Sequence, residues 1–508
     1  MFDGLKHHVV FGVDLIDNTI PTLNLTRSDA DLNTEYKGST ALESYLSRII
    51  YSLDDKYSVT ASIRADGSSK FSEGNKWGYF PAVSAAWKLS NEKFMENFTA
   101  IENIRFHGGY GEVGNQDVSN FAYGSTLIAR TSDFGTGFEF ANFANPDLTW
   151  ESSKQTNLGI DFTLFKSRLN TTVEVYKKIS SDFLYQLALT SFVTGGGPGA
   201  ITAPWVNLGE MENKGIDVTL NYNTLSSKDF SWNSTLTVSH YKNTVNELID
   251  GLTINGQTNL DDTNQVLTRT QVGQPIGMFY GYQVEGLFRT MSDLENAPIQ
   301  FGQEVGDPSA ISRTWLGDIK FRDVNGDGVV NADDRTTIGN PHPDFTFGWQ
   351  NTFNYKNFDV AIFIQGSYGN DVFNAIGRSL TSTNLTYRNQ LASVSDYYSV
   401  TNPNGTAPRY TSNSTPNILI SDRYIEDGSY VRIQNVRLGY TLPADVLQRA
   451  GISRIKIYGS VQNLYTFTEY SGYDPEVGAL NQNTLLSGVD NGRYPTARTF
   501  TLGLDVEF

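Results

Sequence analysis

Apolar and polar residues alternate along most of this chain, the two-residue period of a strand rather than the 3.6-residue period of a helix. Phe500, Leu502, Leu504, Val506 and Phe508 occupy every second position of the C-terminal run. Phe345, Phe347, Trp349, Phe353 and Tyr355 share one face of another run. After the tight Lys356-Asn357 connection come Phe358, Val360, Ile362 and Ile364. Leu158, Ile160, Phe162 and Leu164 turn at 166–168 into Leu169, Val173 and Val175. Ile216, Val218, Leu220 and Tyr222 turn at 226–229 into Trp232, Leu236 and Val238. Tyr57, Val59, Ala61 and Ile63 follow a turn at 54–56. Val431 and Ile433 change phase to Val436, Leu438 and Tyr440, so one extra residue, a bulge, is expected between them.

The connections are of two kinds. Some are two to four polar residues, whereas 17–42, 115–152, 184–209, 370–428 and 471–496 are long and rich in Asn, Asp, Ser, Thr, Gly and Pro. Outer-membrane barrels alternate in this way, with short periplasmic turns and long extracellular loops. With the short turns and the short helical connectors 92–97 and 443–450 on the periplasmic side, strands run up and down to a periplasmic C-terminus. One segment breaks the parity. Between Ser239 and Phe345 an even number of crossings is required, yet only one strand, Gly277–Phe288, is legible. Without it, about fourteen strands remain. The pattern predicts an all-β fold, an antiparallel transmembrane β-barrel, with long extracellular loops at 240–344 and 370–428. An open sheet would leave unpaired edges in lipid, at several kcal/mol per backbone group, so residues 1–508 are expected to be the C-terminal part of a larger cylinder. An alternating last strand ending on Phe508 also offers an edge that a barrel-assembly machine can pair.

Composition agrees with this. Charged residues are 18%, below the roughly 25% of soluble domains, while aromatics reach 13% and the apolar share only 39%. The absence of cysteine excludes disulfides, zinc-thiolate sites and a thiol nucleophile. A net charge of −17 argues against a nucleic-acid partner. No apolar run is long enough for a transmembrane helix. Residues 1–8 lack an apolar signal core, so an exported protein would have its beginning elsewhere.

Three stretches resemble the SusC/RagA family of TonB-dependent outer-membrane transporters of Bacteroidetes. They are Ile63–Phe71 with Trp77–Pro81 and Ser90–Glu92; Gly317–Gly328 through Ile338–Pro341 to Gly369–Asp371; and Gln462–Leu464 followed by Tyr470–Val477. They keep the family's order across nearly the whole chain. The resemblance implies a barrel of roughly 22 strands around a plug, a SusD-like surface lipoprotein as lid, and energy from the TonB complex. It implies import of glycans or peptides across the outer membrane of a Gram-negative cell. No Ser–His–Asp or paired-carboxylate constellation stands out, so no enzyme activity is expected. No plug and no TonB-contacting box are legible here, and by subtraction about eight strands are lacking. A passive porin-like channel and a soluble calcium-binding, glycan-binding β-protein are the alternatives.

The sharpest chemical motif is Asp323-Val324-Asn325-Gly326-Asp327-Gly328-Val329-Val330-Asn331-Ala332-Asp333-Asp334. Its spacing wraps oxygen donors from Asp323, Asn325, Asp327, Asn331 and Asp334 and the Val329 carbonyl around one point, with Gly328 at the sharp turn, as a Ca2+ loop does. The last position is Asp rather than the longer Glu, and no helices flank the loop. The same residues are also preferred turn formers, so a solvated Asx-rich turn is the alternative. His7, His8, His107, His240 and His342 have no metal-like spacing and read as structural or incidental. Gly195–Gly199 lacks the Lys-Ser/Thr of a phosphate loop. Trp205, Tyr280, Tyr282, Tyr398, Tyr465 and Tyr473 could stack on sugars, but interfacial girdles and packing are the commoner use of such residues.

Overall fold

A computed structural model describes residues 7–27, 33–98, 101–133, 135–187, 189, 191–195, 200–223, 229–261, 263–302, 314–383, 389–411, 415–443 and 451–508. The expected connections at 226–229 and 443–450 and the glycine run 195–199 fall largely outside these residues. The chain forms two compact units, residues 1–222 with 242–251, and residues 223–241 with 252–508.

The first unit is an antiparallel meander. Among the described residues its long strands are β1 (His7–Arg27), β2 (Asn33–Leu53), β3 (Tyr57–Ser68), β4 (Trp77–Lys88), β5 (Ile101–Asn115), β6 (Glu151–Leu164), β7 (Leu169–Ser181) and β8 (Glu210–Asn223). Each pairs with the next. One rung across the sheet reads Tyr51, Val59, Ala85, Gly108, Leu158, Val175, Ile216. A rung three positions along, on the other face, reads Arg48, Ser62, Ala82, Gly111, Gln155, Lys178. The period of two thus sorts apolar side chains to one face and small or polar ones to the other. Among the described residues no second layer covers the apolar face: Tyr79 and Leu158 are each 63% exposed, and Val59, Ile63, Val83 and Val175 are exposed beside them.

Of the segment 17–42, expected to be a long loop, residues 17–27 and 33–42 instead continue the ladder. Asp17 pairs with Glu43 and Arg27 with Asn33. Backbone pairing does not require an apolar stripe, so strands can extend beyond the alternating part that sequence reveals. The turns behave as expected. Asp54 and Asp55 take φ values of 53° and 56°, and Phe165, Lys166 and Ser167 are also left-handed. The connector after β4 is two short 3-10 turns, Leu89–Asn91 and Lys93–Met95. Glu92 sits between them and accepts from Lys56 Nζ (3.2 Å), Tyr57 Oη (2.5 Å) and Trp87 Nε1 (3.2 Å), which ties the first two short connections together.

The second unit repeats the plan with β9 (Phe230–Glu247, its last residues lying in the first unit), β10 (Phe345–Tyr355), β11 (Phe358–Tyr368), β12 (Tyr430–Thr441), β13 (Arg454–Thr468) and β14 (Thr499–Glu507). Trp232, Phe353, Val360, Leu438, Gly459 and Leu502 form one apolar rung. Leu438 is well exposed and Leu502 is 84% exposed. The expected bulge is present: Phe363 pairs with Asn435 and Ile364 with Ile433, leaving Gln434 over.

The parity problem is resolved by β9 pairing directly with β10, from Phe230 opposite Tyr355 to Ser239 opposite Thr346. Gly277–Phe288 is not a crossing strand. It divides into Met278–Gly281, in a small sheet with Ile254–Leu260, Thr263–Thr270 and Thr336–Gly339, and Val284–Leu287, which pairs with Ile319–Phe321. A buried strand in a folded excursion carries the same short apolar run as a membrane strand, so the sequence alone did not separate the two.

Candidate functional site: the folded excursions of the second unit

Three excursions of the second unit, after β9, after β11 and after β13, pack on one another instead of trailing as loops. Leu260, Leu267, Phe279, Phe373, Ala375, Ile420, Tyr424, Leu486 and Val489 form one buried cluster. Tyr282, Ile319, Phe321 and Val330 form another, with Tyr282, Phe301 and Phe321 meeting edge to face at 5.3–5.5 Å. Strand Asp371–Asn374 joins the pieces, pairing with Ile425–Asp427 on one edge and Val489–Asp490 on the other. Helix α1 (Ala375–Thr381) follows, its first turn capped by Asn374, whose side-chain oxygen accepts from Gly377 N at 2.6 Å.

Buried charges lock the assembly. Arg378 Nη1 meets Asp261 Oδ2 at 2.5 Å, and its Nε donates to Ile418 O. Arg409 holds Asp318 through Nε (2.8 Å) and Nη2 (3.0 Å), a bidentate fork. Asn417 also donates to Asp318. Gly317 lies where a Cβ would meet Tyr398 at 2.3 Å, with φ +88°, so the chain beside Asp318 admits no side chain. Arg432 reaches Asp474 and Glu476, and Asn340 N donates to Asp371. Of these, Gly317, Asp318, Asn340 and Asp371 belong to the second family-like stretch, and Asp474 and Glu476 to the third. In the first stretch Phe71 is fully buried in the first unit with Phe80, Val118, Ala122, Leu148 and Trp150. Gly114 is bare because a Cβ there would meet the Phe80 ring at 2.0 Å. The motif residues are therefore packing nodes, a role that spacing alone did not reveal.

The loop Asp323–Asp334 is an oxygen-lined turn in which the side chains serve its own amides. Asp323 accepts from Gly326 N (2.6 Å) and Gly328 N (2.8 Å), Asn325 from Asp327 N (2.9 Å), and Asp327 from Val329 N (2.9 Å). Asn331 accepts from Asp333 N (2.7 Å) and caps the 3-10 turn Ala332–Asp334. Asp334 is fully buried and accepts from Val324 N (2.8 Å) and Asn331 N (2.8 Å). Burial raises its pKa, but the amides of Asn331, Val324 and Asn325 outweigh that and hold it below the usual carboxylate range. Among the described residues no group of three His, Cys, Asp or Glu side chains converges as a metal site. Asp334→Ala strands those amides and is expected to destabilise the segment by about 2 kcal/mol, read as faster hydrogen exchange at Val324 and Asn331.

The other singled-out residues divide by burial. Tyr280, Tyr282 and Tyr398 are buried, and Trp205 packs against the Phe71 cluster. Tyr465 and Tyr473 are exposed, Tyr465 on β13 and Tyr473 in the excursion after it. His342 is held by Ile276 O (2.8 Å) and Tyr241 Oη (3.3 Å), and burial pushes its pKa down. His240 meets Asp344 O. His107 lies on the polar face of the first unit, 3.3 Å from Asp161 and 3.5 Å from Glu174.

An antiparallel sheet whose apolar rungs stand exposed needs an apolar solvent, and no described helix is long and apolar enough to cross a membrane in its place. Residues 2–464 match the family described as TonB dependent receptor-like, beta-barrel. The chain belongs to that family. TonB-dependent receptor P3 of Formosa agariphila is 34% identical over 94% of this chain and 46% of its own length. TonB-dependent receptor SusC of Bacteroides thetaiotaomicron is 26% identical over 94% of this chain and 44% of its own. A solved structure titled "Structure of the RagAB peptide transporter" superposes with a TM-score of 0.80 at 20% identity, over 100% of this chain and 54% of that one, a likeness of fold. This TonB-dependent receptor barrel is thus similar to SusC in sequence and to the RagAB transporter in fold, and it resides in the outer membrane. It spans about half the length of the curated relatives it matches.

Proposed function

We propose that this chain is the barrel portion of an outer-membrane importer that takes up glycans or peptides together with a SusD-like surface lipoprotein, powered through TonB. The observation that carries this reading is the exposed apolar stripe of Tyr79, Leu158, Leu438 and Leu502 on sheets whose other face is polar, in a chain that belongs to the receptor family. The described residues of the excursions within 252–344 and 370–428, which pack on one another, would offer the surface on which a lid lipoprotein seats. Support for a peptide cargo comes from the RagAB structures, titled as a peptide transporter and importer; the glycan alternative rests on the family resemblance read in the sequence. In cells lacking this gene, uptake of the cognate oligosaccharide or peptide and growth on it are expected to be lost. Collapse of the proton gradient is expected to abolish uptake in the wild type. Uptake that survives that collapse would favour a passive channel, and single-channel conductance of the purified chain would measure it.

We also infer that the loop Asp323–Asp334 is closed by its own amides and needs no calcium to hold its shape. After stripping with EGTA, adding calcium is expected to leave hydrogen exchange at Gly326 and Gly328 unchanged. Calcium-dependent slowing there would restore the ion to the loop.

A further inference from the structure

The packed excursions of the second unit enclose a cleft of ≈ 570 Å³, within the usual range for small-ligand sites. Ile376 and Leu380 of α1 line it, with Tyr424, Glu426, Tyr473 and Asp490. Tyr424 and Asp490 lie deep, whereas Tyr473 is 70% exposed and belongs to none of the buried clusters. Fold stability does not call for an aromatic ring in that position.

The acceptors are incompletely used. Glu426 accepts from Asn374 Nδ2 (2.8 Å), Ser471 Oγ (2.9 Å) and Ser471 N (2.8 Å). Asp490 accepts from Gly492 N (3.0 Å), Arg493 N (2.9 Å) and Tyr470 Oη (2.7 Å). A carboxylate offers about four acceptor directions, so each retains about one. Among the described residues neither takes part in an ion pair, in contrast to Asp261, Asp318 and Asp474 nearby in the same assembly. Arg423, also lining the cleft, donates through Nη2 to Thr406 O (3.1 Å) and has further N–H groups.

A ligand matching this lining must donate to two carboxylates, accept from a guanidinium, carry no net charge, and present a flat apolar face to a tyrosine. Two carboxylates outside any ion pair repel sulfate or uronate groups, and Arg423 opposes a fixed cation. A ring bearing several hydroxyls, each both donor and acceptor, with C–H groups on its face meets all four demands. We propose that this cleft is a binding subsite for a neutral pyranose unit of a glycan. The assignment of a glycan as cargo rests on the importer reading; the position and the charge preference rest on the cleft.

The purified chain in detergent micelles is titrated by calorimetry with neutral hexasaccharides of glucose, mannose, galactose and xylose. Hexagalacturonate, a sulfated galactan hexasaccharide and a hexapeptide library are run alongside. At least one neutral hexasaccharide is expected to bind, with the anionic probes at least about tenfold weaker. Tyr473→Ala is expected to weaken that binding about tenfold and Glu426→Gln about fivefold. Heat-modifiable migration should be unchanged in Tyr473→Ala, whose side chain is mostly in solvent. No neutral binding at about 10 mM, binding indifferent to both substitutions, or binding of hexapeptides alone would each overturn the subsite. Glycan binding that persists in a protein giving no energised uptake sinks the importer reading and leaves the cleft standing. Normal glycan uptake with wild-type affinity in Tyr473→Ala does the reverse.

Discussion

Replacing Arg432 with methionine is expected to free the excursion after β13 from the sheet, at a cost of about 3–5 kcal/mol in local stability. Arg432 is almost wholly buried on β12 and donates to Thr466 Oγ1 (2.8 Å), Glu476 Oε2 (2.7 Å) and Asp474 Oδ1. Asp474 is buried too, and it holds Glu476 N (3.0 Å), Thr496 N (3.3 Å) and Thr496 Oγ1 (2.7 Å). Methionine fills the volume but leaves the carboxylate buried without its countercharge, the costly way to break such a pair. Hydrogen exchange at Glu476 and Thr496 should accelerate about a hundredfold or more, since 1.4 kcal/mol is a factor of about ten. Acceleration of less than about threefold would show that the pair holds nothing.

The same site has a pH signature. Burial raises the pKa of Asp474, but the Thr496 hydroxyl, the Glu476 amide and Arg432 outweigh it and hold the pKa below the ordinary value. A group lowered in the folded state stabilises above its unfolded pKa of about 4 and loses that contribution as pH falls through the folded value. Wild-type protection at Thr496 should therefore persist at neutral pH and fade only below about pH 4. In Arg432→Met the fading should begin at higher pH, because burial is then less opposed.

The second large effect is expected in the first unit. Phe71→Ala should cost about 3–5 kcal/mol, the usual range for a fully buried phenylalanine. Phe71 sits between β3 and β4 with no exposed surface, its ring 5.3 Å from that of Trp150, which in turn meets Phe80 at 5.5 Å. Around them Val118, Ala122 and Leu148 pin the long connection between β5 and β6. Losing the ring opens a cavity that a sheet-anchored cluster cannot collapse to fill. Limited proteolysis should then cut within 116–150, and Trp150 emission should shift to the red. Phe71→Leu, which conserves most of the volume, should show a smaller change in both. Protease resistance equal to wild type in Phe71→Ala would mean that the sheet, not this cluster, orders the connection.

The membrane strands were legible because each carries its own sorting signal. In Leu158, Ile160, Phe162 and Leu164, or in Phe500 to Phe508, alternate residues must face lipid, and a period of two survives in the sequence without any knowledge of neighbours. The Gln434 bulge was legible for the same reason, as a change of phase. The extensions of β1 and β2 over 17–27 and 33–42 were not, because backbone pairing by itself imposes no apolar stripe. Gly277–Phe288 was misleading because a short apolar run in a packed excursion looks like one in lipid. The oxygen-rich spacing of Asp323 to Asp334 was visible at once, yet its use on the loop's own amides depends on backbone directions that spacing does not encode.

By itself, then, the sequence determined the elements and their faces: antiparallel strands, an apolar side for lipid, short turns and long excursions, and a family-like order of motifs. Those follow from local periodicity and turn chemistry. Only the tertiary structure decided what the excursions do, since Arg378 with Asp261, Arg409 with Asp318, and Glu426 and Asp490 around a common cleft lie far apart in the chain. Nothing in local pattern ties together side chains separated by 64 to 117 residues. Burial and charge compensation after folding do.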